Sequence, residues 1–406
     1  MSKESEEKIP VVILAAGKST RTYPLTITRP KTLLKVANKE ILVHNIEAVR
    51  DFASELIVIV GFQKEMIMSF LGSNFSGIPV RYVEQKEQLG TGHALMLAKE
   101  ILPERFMVMM SDDLYCRQDV KKCVSRENCI LAKEVPNPEC FGVIVEDKGI
   151  MKQLVEKPKD KISNLANCAL YILNRKIFDC KVGKSARGEY ELTDMVSELS
   201  KKEEINVERA SFWMPITYPW SILDANEALL KQMKGKIEGI EGIVESNATL
   251  KGQVFVGKGT VIKSGSYIEG PVMIGENCRI GPNCYIRPST TIGNNCHIGN
   301  AVEIKNSVIF DNSNIAHLSY IGDSIIGYDV NIGAGTIIAN LRHDNSNVKS
   351  MVNGMLIDSG RRKLGAIIGD NVHTGINTSI YPGRKIWPGK STIPGEIVKE
   401  DITQKR

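Results

Sequence analysis

A turn of small residues followed by two cations has the composition of a polyphosphate site. The apolar run Val11–Leu14 leads directly into Ala15–Gly17, and Arg21 and Lys31 follow shortly after. Small residues let backbone amides approach phosphate oxygens, while guanidinium and ammonium groups neutralise phosphates and a leaving pyrophosphate. A glycine turn alone is explained equally well as an ordinary strand-to-helix loop. The combination with Arg21 and Lys31 predicts phosphate chemistry.

The elements around this turn alternate between strand-like and helical patterns. The predicted strands are Val11–Leu14, Leu56–Val60, Val80–Val83 and Phe106–Met110. The predicted helices are Ile41–Phe52, Lys64–Leu71, Gly92–Leu102 and Trp220–Met233, the last with Ser221 and Asp224 at the spacing of a capping box. This order predicts a parallel sheet covered by helices, which binds ligands beyond the carboxyl ends of its strands.

The second half of the chain is an internal repeat. An isoleucine or valine occupies every sixth position from Val256 to Ile304, and the period continues after slips of phase near Ser307 and before Ile326. A period of six fits neither a helix nor a simple alternating strand, but it fits short strands that each send one aliphatic residue into a central stack. It predicts a parallel β-helix with roughly 18 residues in each three-sided coil.

Composition narrows the function. The 406 residues contain 52 Lys and Arg against 47 Asp and Glu, a net charge of +5 without basic blocks, which argues against nucleic-acid binding and favours small anionic substrates. The sequence shows no membrane span or signal peptide, so we expect a cytoplasmic protein without a membrane partner. The nine cysteines and six histidines indicate neither a disulfide framework nor a zinc site. Cys278, Cys284 and Cys296 fall on the six-residue lattice and are expected in the stack.

The N-terminal motifs continue beyond the first turn. They include Gln85, the run Gln88–Ala94, Phe141-Gly142, Glu156–Pro158, Asn167 and Glu191–Asp194. Together they resemble the signature of the sugar-1-phosphate nucleotidylyltransferases. The resemblance implies a Rossmann-like α/β domain in which a sugar phosphate attacks the α-phosphorus of UTP or dTTP, pyrophosphate leaves, and Mg²⁺ screens the anions. It assigns the nucleotide to Ala15, Ala16, Gly17, Gln85, Gly90 and Thr91, the sugar to Gly142, Glu156 and Asn167, and the phosphates to Arg21 and Lys31. His93 is expected to cap or pack a helix start.

The chain departs from this family pattern at three positions. Ser19 and Ser111 each replace a glycine. By resemblance Asp112, after the strand Phe106–Met110, is the metal ligand, with Asp113 as the alternative. The second metal-binding aspartate of the family corresponds to Pro215, whose side chain cannot ligate a cation.

The C-terminal half resembles the acetyltransferase part of archaeal bifunctional sugar-1-phosphate nucleotidylyltransferase/amino-sugar-1-phosphate N-acetyltransferases, relatives of the bacterial glucosamine-1-phosphate enzyme. The resemblance rests on Arg287, Lys305, the run Ala316–Tyr320 and the run Asn331–Asn340. It implies a left-handed parallel β-helix of hexapeptide repeats that forms a homotrimer. His317 is the expected base that takes the proton of the attacking amine. Arg287, Lys305, Tyr320 and Asn331 would hold the amino-sugar phosphate, and Ala334 and Asn340 would face acetyl-CoA.

The hexad pattern is interrupted by Leu341–Leu364, which is too long for a corner. We interpret it either as a solvated loop or as a charged arm that closes over a phosphate or coenzyme. The family's phosphate-binding lysine corresponds to Lys363 or to Lys349, and we favour Lys363.

These observations predict a disordered N-terminus (1–8), a nucleotidylyltransferase-like domain (9–234), a linker (235–243) and a β-helix acetyltransferase domain (244–406). The predicted function is synthesis of a nucleotide sugar. The β-helix would acetylate glucosamine-1-phosphate or galactosamine-1-phosphate, and the N-terminal domain would join the N-acetylhexosamine-1-phosphate to UTP or dTTP. One alternative is an acetyltransferase with a degenerate N-terminal domain, motivated by Pro215. A second is a non-catalytic regulatory or scaffold subunit.

Overall fold

The computed structural model describes residues 8–233 and 239–403. The described residues pack into two compact units, the first formed by the chain up to Lys18 together with Ile41–Pro215, and the second by Ser19–Glu40 together with the chain from Ile216. The segment that carries Arg21 and Lys31 therefore packs with the C-terminal half.

The predicted disorder at 1–8 falls mostly on residues 1–7, and the first part of the predicted linker, 235–238, also lies outside the described residues. The rest of the predicted linker, 239–243, contains the strand Gly239–Ile240 and the start of the strand Ile243–Val244. The disorder at 1–8 and the linker stay predictions, as does the boundary at residue 234. Among the residues that the structure describes, no helix is both long and apolar enough to cross a membrane.

The elements up to residue 233 have the following bounds. The strands are β1 Ile9–Ala15, β2 Lys35–Val36, β3 Lys39–Glu40, β4 Ala53–Val60, β5 Asn74–Phe75, β6 Ile78–Glu84, β7 Arg105–Met110, β8 Asp113–Tyr115, β9 Cys129–Glu134, β10 Gly142–Asp147, β11 Ile150–Glu156, β12 Leu165–Asn174, β13 Asn206–Arg209 and β14 Trp213–Pro215. The helices are α1 Ile41–Val49, α2 Lys64–Leu71, α3 Thr91–Met96, α4 Arg117–Val124, α5 Leu192–Leu199 and α6 Ser221–Gln232. Short 3₁₀ turns lie at Thr20–Thr22, Lys31–Leu33, Lys99–Ile101, Pro138–Cys140 and Arg175–Asp179.

The first unit is built on a mixed sheet of strand order β10-β11-β13-β9-β12-β7-β1-β4-β6-β5. The four strands predicted from sequence, β1, β4, β6 and β7, form its parallel centre, as expected. The prediction of a purely parallel sheet is wrong, because β12 runs antiparallel to β7 and to β9. Sequence analysis missed the antiparallel strands β10–β12. The runs of β10 and β11 mix buried and exposed residues and give a weaker signal than the apolar centre, whereas β12 is a long and almost wholly buried run. The predicted helix Gly92–Leu102 is shorter, because α3 ends at Met96 and a 3₁₀ turn follows.

The second unit contains a solenoid of short strands in three parallel sheets, which we call faces A, B and C. Face A comprises Gly239–Ile240, Val254–Val256, Val272–Ile274, Thr290–Ile292, Val308–Ile309, Ile325–Ile326, Ile367–Ile368 and Lys385–Ile386. Face B comprises Ile243–Val244, Val261–Ile262, Arg279–Ile280, His297–Asn300, Asn314–His317 and Asn331–Ile332. Face C comprises Thr249–Lys251, Tyr267–Glu269, Tyr285–Ile286, Glu303–Lys305, Tyr320–Gly322, Ile337–Ile338, Ser379–Ile380 and Ile397–Val398. This strand-rich architecture is consistent with the predicted β-helix.

The six-residue lattice forms the core of the solenoid. Its aliphatic residues from Val256 to Ile386 are almost completely buried, and Cys278, Cys284 and Cys296 pack among them, as the sequence predicted. Ile274 pairs with Ile292, 18 residues further along, whereas Ile292 pairs with Ile309, only 17 residues further along. The shorter coil accounts for the slip of phase near Ser307.

The interruption at Leu341–Leu364 contains an antiparallel hairpin, Lys349–Val352 with Met355–Asp358, which we call the arm hairpin. The chain re-enters the solenoid where Ile325 and Ile326 pair with Ile367 and Ile368. The interruption is therefore an ordered insertion within one coil.

Candidate active sites

The carboxyl end of β1 forms the floor of the candidate nucleotide site. Ala15 and Ala16 are buried, and the carbonyl of Ala16 accepts the Phe62 amide at 3.2 Å and the Gln88 side chain, through Nε2, at 2.8 Å. Nothing would lie within 4 Å of a Cβ at Gly17, so this residue leaves open space after the strand. The turn thus has the small surface that close approach of a phosphate requires.

Gln85 and Gly90 are fixed by contacts of their own. Gln85 is buried, and its Nε2 lies 3.0 Å from both the Gly90 carbonyl oxygen and His93 Nδ1. Gly90 has φ 106°, and a Cβ there would lie 2.4 Å from the carbonyl oxygen of Tyr190. Glycine is required at this position on both grounds. His93 packs against Gln85 at the start of α3, which agrees with its expected packing role.

Thr91 begins α3 and contacts the start of α5. Its hydroxyl accepts the Leu192 amide at 3.0 Å, and the Gly92 amide donates to the Tyr190 carbonyl at 2.8 Å. The motif runs Gln88–Ala94 and Glu191–Asp194 are therefore neighbours in the fold, which their separation in sequence does not reveal.

The three residues assigned to the sugar lie together. Gly142 pairs with Glu156 in the sheet, and a Cβ on Gly142 would lie 3.3 Å from Glu156 Oε2 and 3.4 Å from the Cβ of Asn167. Asn167 is buried, donates to the Tyr171 hydroxyl at 2.6 Å and accepts the Ala169 amide at 2.8 Å. Its rotamer is thus set before any ligand binds.

Glu156 has competing electrostatic influences. Burial raises the pKa of its carboxyl group, and the nearby cations Lys157 and Arg187 lower it. Arg187 Nη2 lies 3.4 Å from Glu156 and 2.7 Å from Glu191. Sequence analysis missed Arg187, because it stands outside every recognised motif.

The candidate metal position lies at β8. Asp113 pairs with Pro215 across the β8–β14 ladder, and its Oδ2 accepts the indole N–H of Trp213 at 3.0 Å. The strand that carries the second metal-binding aspartate in the family therefore lies next to these carboxylates in this chain, but it has Pro215 at the position of that aspartate. Ser111 is buried and donates to the Leu14 carbonyl at 2.7 Å, so its hydroxyl is accommodated where the family has glycine.

This donor set fits Mg²⁺ only in a substrate-rich coordination shell. Within the described residues no group of three or more His, Cys, Asp or Glu side chains is arranged to hold a metal ion. Mg²⁺ is commonly held by one or two carboxylates while phosphates and water supply the remaining oxygens. Asp112 and Asp113 are the carboxylates compatible with that arrangement, and Oδ2 of Asp113 accepts a hydrogen bond from Trp213.

The segment Ser19–Glu40 belongs to the second unit, and its predicted residues differ in exposure. Arg21 is exposed, whereas Lys31 is buried and its ammonium group donates to the carbonyl of Ile216. Ser19 has φ 50°, in the left-handed region, which explains why glycine suits this position in the family.

Two of the residues assigned to the amino-sugar phosphate, Lys305 and Tyr320, lie on face C near the buried carboxylate of Asp323. Asp323 Oδ2 accepts Lys305 Nζ at 3.0 Å and Asn340 Nδ2 at 2.6 Å. Asn340 also lies 3.1 Å from the hydroxyl oxygen of Tyr320. Burial raises the pKa of Tyr320, so its hydroxyl stays protonated near neutral pH. Asn340, expected to face acetyl-CoA, contacts Tyr320 and Asp323, and its role toward the coenzyme stays a prediction.

Arg287 lies one coil earlier in the same ladder. Its Nη1 is 2.9 Å from Glu303 Oε1, and Tyr285, Glu303 and Tyr320 are successive paired residues on face C. Arg287 and Lys305 are thus each paired with a carboxylate, which limits their mutual repulsion.

His317 ends a strand of face B, and its side chain is exposed. Its carbonyl accepts the Ser319 hydroxyl at 2.8 Å and the Gly335 amide at 3.4 Å, so the corner after His317 stacks on the run containing Ala334. Asn331 is also exposed, and it pairs with Asn314 on face B. The structure thus brings His317, Tyr320, Asn331 and Ala334 onto successive coils.

The two candidate lysines of the insertion Leu341–Leu364 lie in different surroundings. Lys363 pairs with Leu341, and the next residue, Leu364, donates to the carbonyl of Asn340 at 2.9 Å. Lys349 lies in the arm hairpin, paired with Asp358. Lys363 is therefore beside the Asp323 group, which favours the assignment we preferred from sequence.

The predicted capping role of Asp224 is wrong. No side-chain cap hydrogen bond forms at the start of α6, and the Asp224 carboxylate pairs with Arg361 of the arm. Arg361 Nη2 also lies 3.9 Å from Asp323 Oδ1. Asp224 pairs with Arg361, which is distant in sequence, instead of capping the start of α6. The spacing of a local motif cannot reveal such a partner.

Sequence analysis also missed Glu303 and Asp323. The coil here spans 17 residues, because Lys305 pairs with Gly322, and Asp323 is the next residue along the chain. Lattice arithmetic that includes the slip of phase would have placed Asp323 one position past the partner of Lys305.

Comparison with known proteins gives consistent matches over most of the chain. Residues 10–232 match the nucleotidyl transferase family, and residues 268–402 match the GMPPB C-terminal domain. The chain is 44% identical over 402 residues to the bifunctional protein GlmU of Methanococcus maripaludis strain C7, covering 97% of this chain and 95% of that protein. It is 40% identical over 398 residues to the bifunctional sugar-1-phosphate nucleotidylyltransferase/acetyltransferase of Sulfurisphaera tokodaii, covering 96% and 97%.

A solved UDP-glucose pyrophosphorylase in complex with UDP-glucose aligns with a TM-score of 0.51 at 23% identity, covering 55% of this chain and 99% of that one, and it supports the fold alone. The full-length relatives carry the functional assignment. Together with the nucleotidyl transferase match and the two groups of site residues, they show that the chain is a transferase that belongs to the family of bifunctional sugar-1-phosphate nucleotidylyltransferases/acetyltransferases.

Proposed function

We propose that this enzyme acetylates glucosamine-1-phosphate with acetyl-CoA and then couples the N-acetylated product to UTP. The observation that carries the proposal is that Lys305 and Asn340 both bind Asp323 and that Asn340 also contacts Tyr320, on coils adjoining His317. Lys363 precedes Leu364, whose amide donates to the Asn340 carbonyl. Galactosamine-1-phosphate and dTTP remain the alternatives, since they differ from these substrates by small groups.

In acetyl transfer, His317 accepts the proton that the amino group loses as its nitrogen attacks the thioester carbonyl. The new C–N bond forms, the C–S bond breaks, and coenzyme A leaves as the thiol after taking up a proton. A backbone amide near Ala334 would stabilise the negative charge that develops on the carbonyl oxygen. Lys305, Arg287 and Lys363 would hold the sugar phosphate, with the carboxylates of Asp323 and Glu303 keeping these cations in place.

In nucleotidyl transfer, a phosphate oxygen of the sugar phosphate attacks the α-phosphorus, and the bond to the pyrophosphate oxygen breaks. Gln85, Gly90 and Thr91 would hold the nucleotide, Gly142, Glu156 and Asn167 would orient the sugar, and Arg21 and Lys31 would neutralise the phosphates. Mg²⁺, bound through Asp112 and substrate oxygens, would screen the charge on the phosphates.

The solenoid is proposed to be a left-handed β-helix that assembles as a trimer, as the family resemblance implies. The cytoplasmic location predicted from sequence stays a prediction.

The experiment that tests this function uses one purified sample for both reactions. Thiol release is measured with acetyl-CoA and either glucosamine-1-phosphate or galactosamine-1-phosphate. Pyrophosphate release is measured with Mg²⁺, N-acetylglucosamine-1-phosphate and each nucleoside triphosphate in turn. We expect release in both assays, with preference for glucosamine-1-phosphate and UTP. Absence of acetyl transfer with both amino sugars would contradict the proposal.

The pairing of Pro215 with Asp113 favours one alternative, an acetyltransferase whose N-terminal domain only binds ligands. Thiol release without pyrophosphate release, together with recovery of pyrophosphate release in Pro215→Asp, would establish that alternative.

A further inference from the structure

The segment Ser19–Glu40 is held by the solenoid at several points along its length. This anchoring is unexpected, because the same segment carries Arg21 and Lys31, which the family assigns to the phosphates of nucleotidyl transfer.

The strongest contact joins Arg29 to the corner that follows face A. Asp370 is almost completely buried, and its Oδ2 accepts Arg29 Nη2 at 2.8 Å, Arg29 Nε at 3.2 Å and the Thr28 hydroxyl at 2.6 Å. The Arg29 guanidinium carbon also lies 3.4 Å from the centre of the Tyr328 ring. A buried carboxylate with three donors and a cation stacked on an aromatic ring form a rigid contact. It lies two residues from Lys31.

The other contacts flank this one. Lys385 Nζ donates to the Tyr23 carbonyl at 3.0 Å, two residues after Arg21. Lys35 Nζ lies 2.6 Å from Asp311 Oδ2, and Asn38 Nδ2 donates to the Ile292 carbonyl at 2.7 Å. The anchoring thus extends from the Arg21 end to the far side of Lys31.

The arm hairpin takes part as well. Asn353 at its turn donates to the Thr20 hydroxyl at 3.2 Å, and Lys385 donates to the Met351 carbonyl at 2.6 Å. One lysine therefore ties the hairpin and the segment to the same coil. The insertion Leu341–Leu364 therefore contacts the segment Ser19–Glu40, in addition to carrying Lys363.

We propose that Asp370, Tyr328 and Asp311 of the solenoid are positioning residues for nucleotidyl transfer, because they hold the segment that presents Arg21 and Lys31. The proposal rests on the proposed role of these two cations. It makes the first reaction depend on residues of the acetyltransferase half that contact none of its substrates.

The test compares both activities in the full-length protein carrying Asp370→Asn, which keeps the size of the side chain but removes its charge. Because small displacements of catalytic groups cost up to about a hundredfold in rate, we expect kcat/KM for pyrophosphate release to fall between about tenfold and a hundredfold. KM for the sugar phosphate and the rate of thiol release should stay within about twofold of the wild type, since Asp370 touches none of the groups assigned to acetyl transfer. Asp329→Asn, at an exposed corner of the same solenoid, is the matched control and should change neither activity.

Three further variants separate positioning from general stability. Arg29→Lys keeps the charge but loses the two-pronged contact and much of the stacking, so it should show a smaller loss than Arg29→Ala. Lys35→Gln removes the ion pair with Asp311, whose two side chains are 12% and 19% exposed, and it should lower pyrophosphate release alone, by about two- to fivefold.

The outcomes distinguish the two proposals. If Arg21→Ala lowers pyrophosphate release while Asp370→Asn and Lys35→Gln leave it unchanged, the positioning role is wrong. If Arg21→Ala has no effect, the assigned role of the segment fails first. Equal loss of both activities in Lys35→Gln, with a lowered melting temperature, would make the contacts merely structural.

Discussion

The candidate nucleotide site and the candidate acetyl-transfer site are assembled by different means. In the sheet, Ala16, Gln85 and Asn167 come from separate elements, and each is held by its own hydrogen bonds. In the solenoid, Glu303 and Tyr320 are aligned by strand pairing, one coil after another. A sheet site can therefore change one residue at a time, whereas a solenoid site depends on the register of the whole stack.

The substitution His317→Ala tests most directly whether the two candidate sites act separately. Loss of a general base typically costs between about 10² and 10⁴ in rate, so thiol release from acetyl-CoA should fall by that factor. Pyrophosphate release should not change, because His317 belongs to the solenoid and has no assigned role in nucleotidyl transfer. Parallel assays of the two products check this expectation. Unchanged thiol release would show that another group accepts the proton.

The corresponding substitution in the candidate nucleotide site is Asp112→Asn. Removing the proposed protein ligand of Mg²⁺ should lower pyrophosphate release by roughly a hundredfold and raise the Mg²⁺ concentration needed for half-maximal rate. Thiol release should be unaffected. Asp113→Asn is the matched control, because its partner Trp213 donates to an amide oxygen as well as to a carboxylate. If Asp113→Asn has the larger effect, the ligand assignment must move by one residue.

The difference between a repeated packing pattern and single long-range contacts explains which features sequence analysis could predict. The isoleucine lattice predicted the solenoid and its slips of phase because every coil repeats the same packing requirement. The parallel centre was also predicted, since its strands are continuous apolar runs. Arg361, the partner of Asp224, and the anchoring of Arg29 by Asp370 could not be predicted. These pairs join residues distant in sequence, and no local spacing encodes them.

A substitution in the buried isoleucine stack of the solenoid tests whether the acetyl-transfer site depends on the register of the coils. Ile304 is completely buried between Glu303 and Lys305, so Ile304→Ala should lower the free energy of unfolding by about 2–5 kcal/mol. Ile337 on the same face is 46% exposed, and Ile337→Ala should change it by no more than about 0.5 kcal/mol. Chemical denaturation of the three proteins measures the difference. Thiol release should also fall more in Ile304→Ala than pyrophosphate release does. Equal effects on both activities would indicate that the stack does not set the geometry of the acetyl-transfer site.

The smallest expected effect concerns Lys385, which ties the solenoid to Tyr23. Burial lowers the pKa of Lys385 to about 8, with Asp401 raising it and Arg384 lowering it further. Between pH 8 and the ordinary value of 10.5, the folded protein therefore binds fewer protons at this site than the unfolded chain does. Its contribution to stability must then rise with pH across this window, by up to about 3 kcal/mol. In Lys385→Met this contribution should disappear. The difference between the wild-type and Lys385→Met unfolding free energies, followed from pH 7.5 to 10.5, should thus grow in favour of the wild type as pH rises. A flat difference curve would mean that the ammonium group stays charged at its carbonyl partners, and that this anchor holds the segment equally well at every pH.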